Sequence, residues 1–372
     1  MPRHVSTRRP RGQVVVIAAM AMVSLIGGVA LVLEAGNAYA HQRQAQNGAD
    51  AIANAGATVL AEMLGGTSKT DTDVVAAMTT VSGANALGSY LGYYTNVTGQ
   101  LLNNGGTPSG GPGSAARVGD SVIPPNAQGV QATGSQNFDT TFARVLGIDQ
   151  FTASAEATSV AGALSGGQIL PVVFPVNIVD CDVNGDLGTG EVNWQISNPD
   201  GADLDSNPEG QEYIVPLCKT GGGSFMVLDL DGITNNCDDE VTNPPAVQFA
   251  SFPVTVNSDN GNNCAKPMVD AVNAYSGKVV FIPICDGDCT TAGGSHADYH
   301  IIRVAAFFLD YMSDQNGGNN LACQGNGTTL VPIAGNGSSS CIAGWFVRYI
   351  TTGAVSGGPI QGAGAIGIQL VK

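Results

Sequence analysis

A run of twenty uncharged residues, Val14 to Leu33, constrains this chain more than any other feature. It follows a basic amino-terminal head, and only Ser24 within it has a side chain that needs a hydrogen-bond partner. Twenty helical residues at a rise of about 1.5 Å each span the roughly 30 Å hydrocarbon core of a bilayer. We therefore expect one transmembrane helix at residues 14–33.

The charges beside this run predict its orientation. Four arginines precede it, the last of them Arg11, and the next arginine in the chain is Arg43. The positive-inside rule makes residues 1–13 a cytoplasmic head and places the chain after residue 34 outside the cytoplasm. This predicts a single-pass protein of the cell membrane with an extracytoplasmic C-terminal domain. A cleaved signal is the alternative, because Ala38-Tyr39-Ala40 resembles a cleavage site, but the apolar run exceeds the about 7–15 residues of a signal core.

The exported part is strongly acidic. Beyond the head it carries thirty acidic and ten basic residues, a balance that disfavours nucleic acid and anionic lipid headgroups as partners. The whole chain has four histidines, so a general base is scarce, and no nucleophile elbow or phosphate-binding glycine loop occurs. We expect no enzyme. An exported hydrolase with a carboxylate pair is the alternative class that the sequence leaves open.

Cysteine placement agrees with export. All eight cysteines lie between Cys181 and Cys341. An even number confined to the exported part predicts disulfides, although the sequence does not determine the pairing. Proximity in the chain favours Cys285 with Cys289 and Cys323 with Cys341.

Small residues mark one face of the helix beyond the membrane. From His41 to Leu64, small and apolar residues recur every three or four positions, which predicts that the helix continues. Ala49, Ala53 and Gly56 on this face permit close approach of another helix. That helix belongs either to a partner subunit or to this protein.

The remaining chain divides by composition. Thr70 or Asp71 begins a second predicted helix that reaches about Tyr94, so residues 34–102 would form a helical stalk or hairpin. The glycine- and proline-rich segment 103–126 predicts a linker, and residues 127–372 show short β-type runs broken by Gly, Pro and Asn. The predicted class is α+β: a single transmembrane helix, a helical stalk and a disulfide-braced, mostly antiparallel β exterior domain.

Residues 180–191 match the pattern of a calcium-binding loop, D-x-D-x-N-G-x5-E. The glycine of this pattern, Gly185, allows the sharp turn that brings the ligand oxygens together. The expected ligands are Asp180, Asp182, Asn184, the backbone carbonyl of Asp186, and Glu191. An acidic turn without a metal is the alternative.

A second segment matches the same pattern less well. Asp229, Asp231, Gly232 and Asp238 correspond to positions 3, 5, 6 and 12, but Val227 stands at position 1. The segment is therefore a weaker calcium candidate.

Glu34 lies at the expected outer boundary of the membrane. A carboxylate at that depth is costly when unpaired. We expect it either to pair with a basic group of a partner subunit or to reach interfacial water.

Four segments within the first 165 residues carry a family resemblance. They are Arg11-Gly12-Gln13, Glu34-Ala35-Gly36, Gln44-Ala45-Gln46-Asn47-Gly48-Ala49-Asp50-Ala51 and Thr141-Phe142-Ala143-Arg144-Val145-Leu146-Gly147-Ile148. Together with the apolar run they resemble the amino-terminal module of the TadE/TadG-like family of Flp-pilus (tight-adherence) assembly proteins. Glu34 replaces the usual Asp of that family, and Gly48 replaces an Ala.

The resemblance implies a membrane-anchored, non-catalytic component of pilus assembly or surface presentation. Its expected partners are the membrane and other pilus-assembly or pseudopilin-like subunits, contacted through the amino-terminal helix. A calcium-stabilised surface binding protein or adhesin unrelated to pili is the alternative. No Asp-x-Ser-x-Ser motif occurs, so the version of the family that carries a von Willebrand A domain is not expected.

Overall fold

The structure is a computed structural model of the chain. It describes residues 13–175, 177–181, 187–195, 213–217, 227–233, 237–243, 246–249, 252–258, 266–285, 298–313, 340–347, 349–356 and 365–371. The helices are α1 (Gln13–Leu64), α2 (Asp71–Ala84), α3 (Cys237–Thr242) and α4 (Lys266–Asn273), with short 3-10 turns at Pro112–Ser114 and Ala143–Leu146. The strands are β1 (Ser89–Thr95), β2 (Gly129–Asp139), β3 (Gln150–Leu164), β4 (Gly166–Gln168), β5 (Phe174–Pro175), β6 (Asn177–Cys181), β7 (Leu187–Gln195), β8 (Tyr213–Leu217), β9 (Ala246–Gln248), β10 (Val254–Asn257), β11 (Lys278–Cys285), β12 (Asp298–Ser313), β13 (Ser340–Val347), β14 (Tyr349–Thr352), β15 (Val355–Ser356) and β16 (Ala365–Leu370).

Two larger sheets organise the β-rich part. The first has the order β1-β2-β3-β16-β14, with β15 also paired to β3, and the second has the order β5-β11-β12-β13-β8, with β10 paired to β12. Two further pairs, β4-β9 and β6-β7, stand apart. The pairing is antiparallel except between β14 and β16 and between β5 and β11. The predicted α+β class with a mostly antiparallel sheet is therefore confirmed.

The second predicted helix is shorter than expected. α2 begins after Thr70, whose backbone N–H donates to Asp73 Oδ2 at 2.7 Å, but it ends at Ala84 and not near Tyr94. Ser89 to Thr95 form strand β1 because the aromatic-rich sequence SYLGYYT pairs with β2. The expected helical stalk or hairpin over residues 34–102 is therefore wrong in its last part, because Ser89–Thr95 belongs to the first sheet.

The expected linker is a compact loop between β1 and β2. Asn103 Oδ1 accepts the backbone N–H groups of Gly105 and Thr107 at 2.9 and 3.2 Å, which closes a local turn. The loop also returns to the sheet, where Arg117 bridges to Tyr93. Since strands on both sides of residues 103–126 share one sheet, this segment does not separate two domains.

Two large apolar cores hold the described elements together, and smaller buried clusters accompany them. The first lies between α1, α2 and the first sheet, and it buries Ile52, Leu60, Met78, Tyr94 and Leu102. The second lies on the second sheet around three aromatic rings. Phe307 packs against Phe174 and Phe346 with ring centroids 5.3 and 5.0 Å apart.

The described cysteines include none that is free. Cys285 is buried at the end of β11 and is disulfide-bonded. Its suggested partner Cys289 lies outside the described residues, as does Cys323, whereas the backbone of Cys341 belongs to β13. Both pairings proposed from chain proximity remain predictions.

Candidate functional site

The first half of α1 is exposed, although its side chains are apolar. Within the described part of the chain, α1 is the one helix long and apolar enough to cross a membrane, and its most apolar window is not buried by the protein. The large exposed side chains are Val14, Val15, Val16, Ile17, Met20, Met22, Val23, Leu25, Ile26, Val29, Leu31, Val32, Leu33 and Tyr39. An apolar patch of this extent requires a nonaqueous covering, which agrees with a membrane anchor.

The second half of α1 lies along strand β3. Gln42 Nε2 donates to the carbonyl of Ser154 at 2.8 Å, and twelve residues later Asn54 Oδ1 accepts the hydroxyl of Ser159 at 2.7 Å. The helix and the strand therefore run in the same direction. The His41 ring stacks on Phe138 of β2, with centroids 4.2 Å apart, where the helix reaches the sheet.

The small residues of α1 pack inside the protein. Ala49, Ala53 and Gly56 are all buried against α2 and the first sheet. A β-carbon at Gly56 would lie 2.8 Å from Val130 Cγ2 and 3.3 Å from Met78 Sδ. The face expected as a possible contact with another subunit is thus an internal one, because the first sheet covers it.

Glu34 contacts the protein's own loop between β2 and β3. Its carboxylate accepts the backbone N–H of Thr141 at 3.1 Å and that of Phe142 at 2.9 Å. These donors stand at the start of the 3-10 turn Ala143–Leu146, where the first N–H groups have no partner within a helical turn. Glu34 therefore joins the helix to the loop, a role that was not expected from the sequence because the two lie more than 100 residues apart.

This loop carries exposed apolar side chains next to the apolar part of α1. Val145 is 86% exposed, and Phe142, Ile148 and Phe151 are also exposed. Arg144 Nε lies 3.2 Å from Asp149 Oδ1, so the loop's basic residue is paired with its acidic one. We call residues 140–149, with Glu34 and Phe151, the helix–loop junction.

A groove of about 520 Å³ separates the helix from this loop. Its walls are mainly apolar, and small residues of α1 form its floor. The lining residues used below are Gly27, Ala30, Glu34, Phe142 and Val145. The groove begins within the predicted membrane span and ends at the junction.

The predicted calcium loop falls mostly outside the described residues. Asp182, Asn184 and Asp186 are not among them, whereas the backbones of Asp180 and Glu191 lie on the paired strands β6 and β7. The segment therefore connects two antiparallel strands. Calcium at residues 180–191 remains a prediction.

The structure brings together a different acidic set. Asp229, Asp231 and Glu240 each present a carboxylate oxygen, and these oxygens lie within 4.8 Å of one another. The sequence pattern does not identify Glu240, because the calcium loop that aligns on Val227 ends at Asp238. A count from Asp229 would have placed Glu240 at position 12.

Comparisons with known proteins found no family model, no curated protein and no solved structure that matches this chain.

Proposed function

We propose that this protein is a membrane-anchored, non-catalytic component of Flp (tight-adherence) pilus assembly or surface presentation. The observation that carries the proposal is the division of α1 into an exposed apolar half and a half packed on the first sheet. Such a helix fixes the folded part directly to the bilayer surface. The segments that resemble the TadE/TadG-like family connect this anchor with pilus assembly.

The proposed orientation places the head in the cytoplasm and the sheets outside. The four arginines of the head support it through the positive-inside rule. The disulfide at Cys285 also supports an exterior location, because disulfides persist in oxidising compartments. By the same reasoning we propose that the other exported cysteines are paired and brace the second sheet.

The proposed contact with other subunits lies on the exposed half of α1. Gly27 and Ala30 line the groove, and because neither has more than a methyl side chain, the backbone of another helix can approach closely. No heavy atom lies within 4 Å of the position that a Gly27 β-carbon would occupy. We propose that an apolar helix of another pilus-assembly subunit packs here, since Ala49, Ala53 and Gly56 are already covered.

A comparison of two neighbouring glycines tests this function. Gly27→Ile places a branched side chain in the groove, whereas Gly28→Ile places the same side chain on the helix away from the groove-lining set. In cells that lack the native gene, we expect the Gly27 variant to lower surface pilus output about tenfold at normal protein level. A clash of roughly 1.4 kcal/mol would weaken the affinity of the helix contact about tenfold. The Gly28 variant should restore normal output.

Deletion of the gene provides the decisive control. Loss of surface pili on deletion, with rescue by the wild-type gene, is the expected result. Normal pili in the deletion strain would refute the pilus function and favour the surface-binding alternative. If pili are lost on deletion but both glycine variants rescue them, the proposed helix contact is wrong.

A further inference from the structure

Three carboxylates meet where the segment 227–233 contacts helix α3. Asp229 and Asp231 come from the segment and Glu240 from the helix, and an oxygen of each lies within 4.8 Å of the others. Like charges at this separation repel one another unless a cation or a proton offsets them.

Glu240 shows that the cluster is more than a group of surface acids. Its side chain is 2% exposed, and Oε1 accepts the backbone N–H groups of Leu230 and Asp231 at 2.8 and 3.1 Å. The other oxygen, Oε2, is buried and has no hydrogen-bond partner within the described part of the chain. A buried carboxylate oxygen without a partner is costly, because it has lost its water.

Backbone donors hold the two aspartates in place. Gly232 N–H donates to Asp229 Oδ1 at 2.6 Å, and Ile233 N–H donates to Asp231 Oδ1 at 2.7 Å. Gly232 has a φ of 81°, a left-handed conformation that favours glycine and lets the chain turn between the two acids. The carboxylates are therefore positioned by the fold of the segment.

Both arms of the cluster are attached to the second core. Leu228 N–H donates to the carbonyl of Pro171 at 2.8 Å, and Asp229 N–H donates to that of Asn257 at 2.9 Å. On the other arm, Val241 is buried and its carbonyl accepts the hydroxyl of Tyr275 at 3.0 Å. A ligand bound between the arms would meet a largely preformed site.

We propose that Asp229, Asp231 and Glu240 bind a calcium ion. Calcium takes six to eight oxygen ligands in flexible geometry, and carboxylates are its preferred side-chain ligands. Counted from Asp229, the three residues stand at positions 1, 3 and 12 of a calcium loop, but Ile233 and Thr234 replace its position-5 ligand and its glycine, so the assignment depends on the geometry of the three carboxylates. The site is separate from residues 180–191.

The surroundings of Glu240 disfavour its negative charge when no cation is present. Burial raises the pKa of Glu240 to about 7, although the backbone N–H groups of Leu230 and Asp231 lower it. The charges of Asp231 and Asp229 raise it further. A divalent cation among the three carboxylates would oppose both the burial cost and the repulsion, and so favour the ionised form.

To test this, the full chain in detergent micelles is first treated with a chelator. Calcium binding is then measured by calorimetry and by thermal unfolding with and without calcium. We expect this site to give a binding event with a Kd of about 10⁻⁴–10⁻³ M, in the range of extracellular calcium modules, and a calcium-dependent rise in Tm. Glu240→Gln should weaken calcium binding at least about tenfold, because the amide carries no negative charge. The amide oxygen can still accept the two backbone N–H bonds, so the local fold should be kept. Asp239→Asn, an equal change of charge at the neighbouring exposed residue, should bind calcium as the wild type does.

Two further variants keep the outcome decisive. Asp231→Asn alters an exposed side chain, so it should fold even if Glu240→Gln does not, and it should also weaken the event. Glu191→Gln should leave the event intact. Wild-type calcium binding in both Glu240→Gln and Asp231→Asn would overturn the proposal, as would loss of the event in Glu191→Gln alone.

Discussion

Asp71 is a buried carboxylate that connects a helix to a distant loop. Its Oδ1 accepts the hydroxyl of Tyr94 at 2.5 Å, and its oxygens also accept the N–H groups of Gly119 and Ser121 at 3.0 and 2.7 Å. Burial, together with this bond to Asp71, raises the pKa of Tyr94, so the phenol stays protonated as a donor. The loop after β1 is thereby attached to the first turn of α2.

Removal of the Tyr94 hydroxyl should measure this connection. Tyr94→Phe should lower the free energy of unfolding by about 1.5–3 kcal/mol, because it removes a hydrogen bond to a buried charged group. Tyr90→Phe is the matched control, since the Tyr90 hydroxyl bonds to Thr79 Oγ1 near the surface and its loss should cost roughly 0.5 kcal/mol. Thermal unfolding of the full chain in detergent compares the two. Equal losses would mean that Tyr94 and Asp71 are not specially coupled.

At the scale of elements, α1 is one helix in two environments. It is continuous from Gln13 to Leu64, a length of 52 residues, yet its large apolar side chains are exposed before His41 and its small ones are buried beyond Ala45. Small residues bring the helix close to the strands, since Gly48 faces Leu87 and Gly56 faces Val130. Close contact over this half makes α1 an integral part of the first core.

A bulky residue in this contact should separate the helix from the sheet. Gly56→Leu should destabilise the full chain by about 1–3 kcal/mol, because the new side chain has no space beside Val130 and Met78. Gly36→Leu should be neutral or slightly stabilising, because Gly36 is exposed with no atom within 4 Å of its added β-carbon. Denaturant unfolding in micelles would measure both. Destabilisation by Gly36→Leu alone would contradict the described packing.

Local patterns predicted much of this fold, and contacts between distant segments account for the differences. Apolar periodicity predicted the continuation of α1, and the Thr70 and Asp71 signal predicted where α2 begins. Periodicity identifies a buried face but not what covers it, so the sequence does not determine which element packs on Ala49 and Gly56. Strand β1 was missed because its stability comes from pairing with β2, about 40 residues later. The hydrogen bond between Glu34 and Thr141 was also missed, because only the tertiary structure brings these two residues together.

At the scale of the whole molecule, the first sheet joins strands from the middle and from the end of the chain to α1. β16, near the C-terminus, pairs with β3, and β3 lies along α1. The β2–β3 end of the sheet that carries the helix–loop junction lies beside the apolar half of α1, while the other end of β3 leads toward the second sheet. In a membrane, the exposed Phe142 and Val145 would therefore lie close to the bilayer surface.

The central claim is that the anchor is not cleaved and that the folded part lies outside the cytoplasm. It can be tested by protease protection, using spheroplasts that carry the full chain with an amino-terminal tag. Protease added outside should digest the exterior part and leave a small tagged fragment that contains residues 14–33 in the membrane. The tag should become accessible only after the membrane is opened. A tag digested in intact spheroplasts, or a soluble product that begins near His41 before protease is added, would contradict this account.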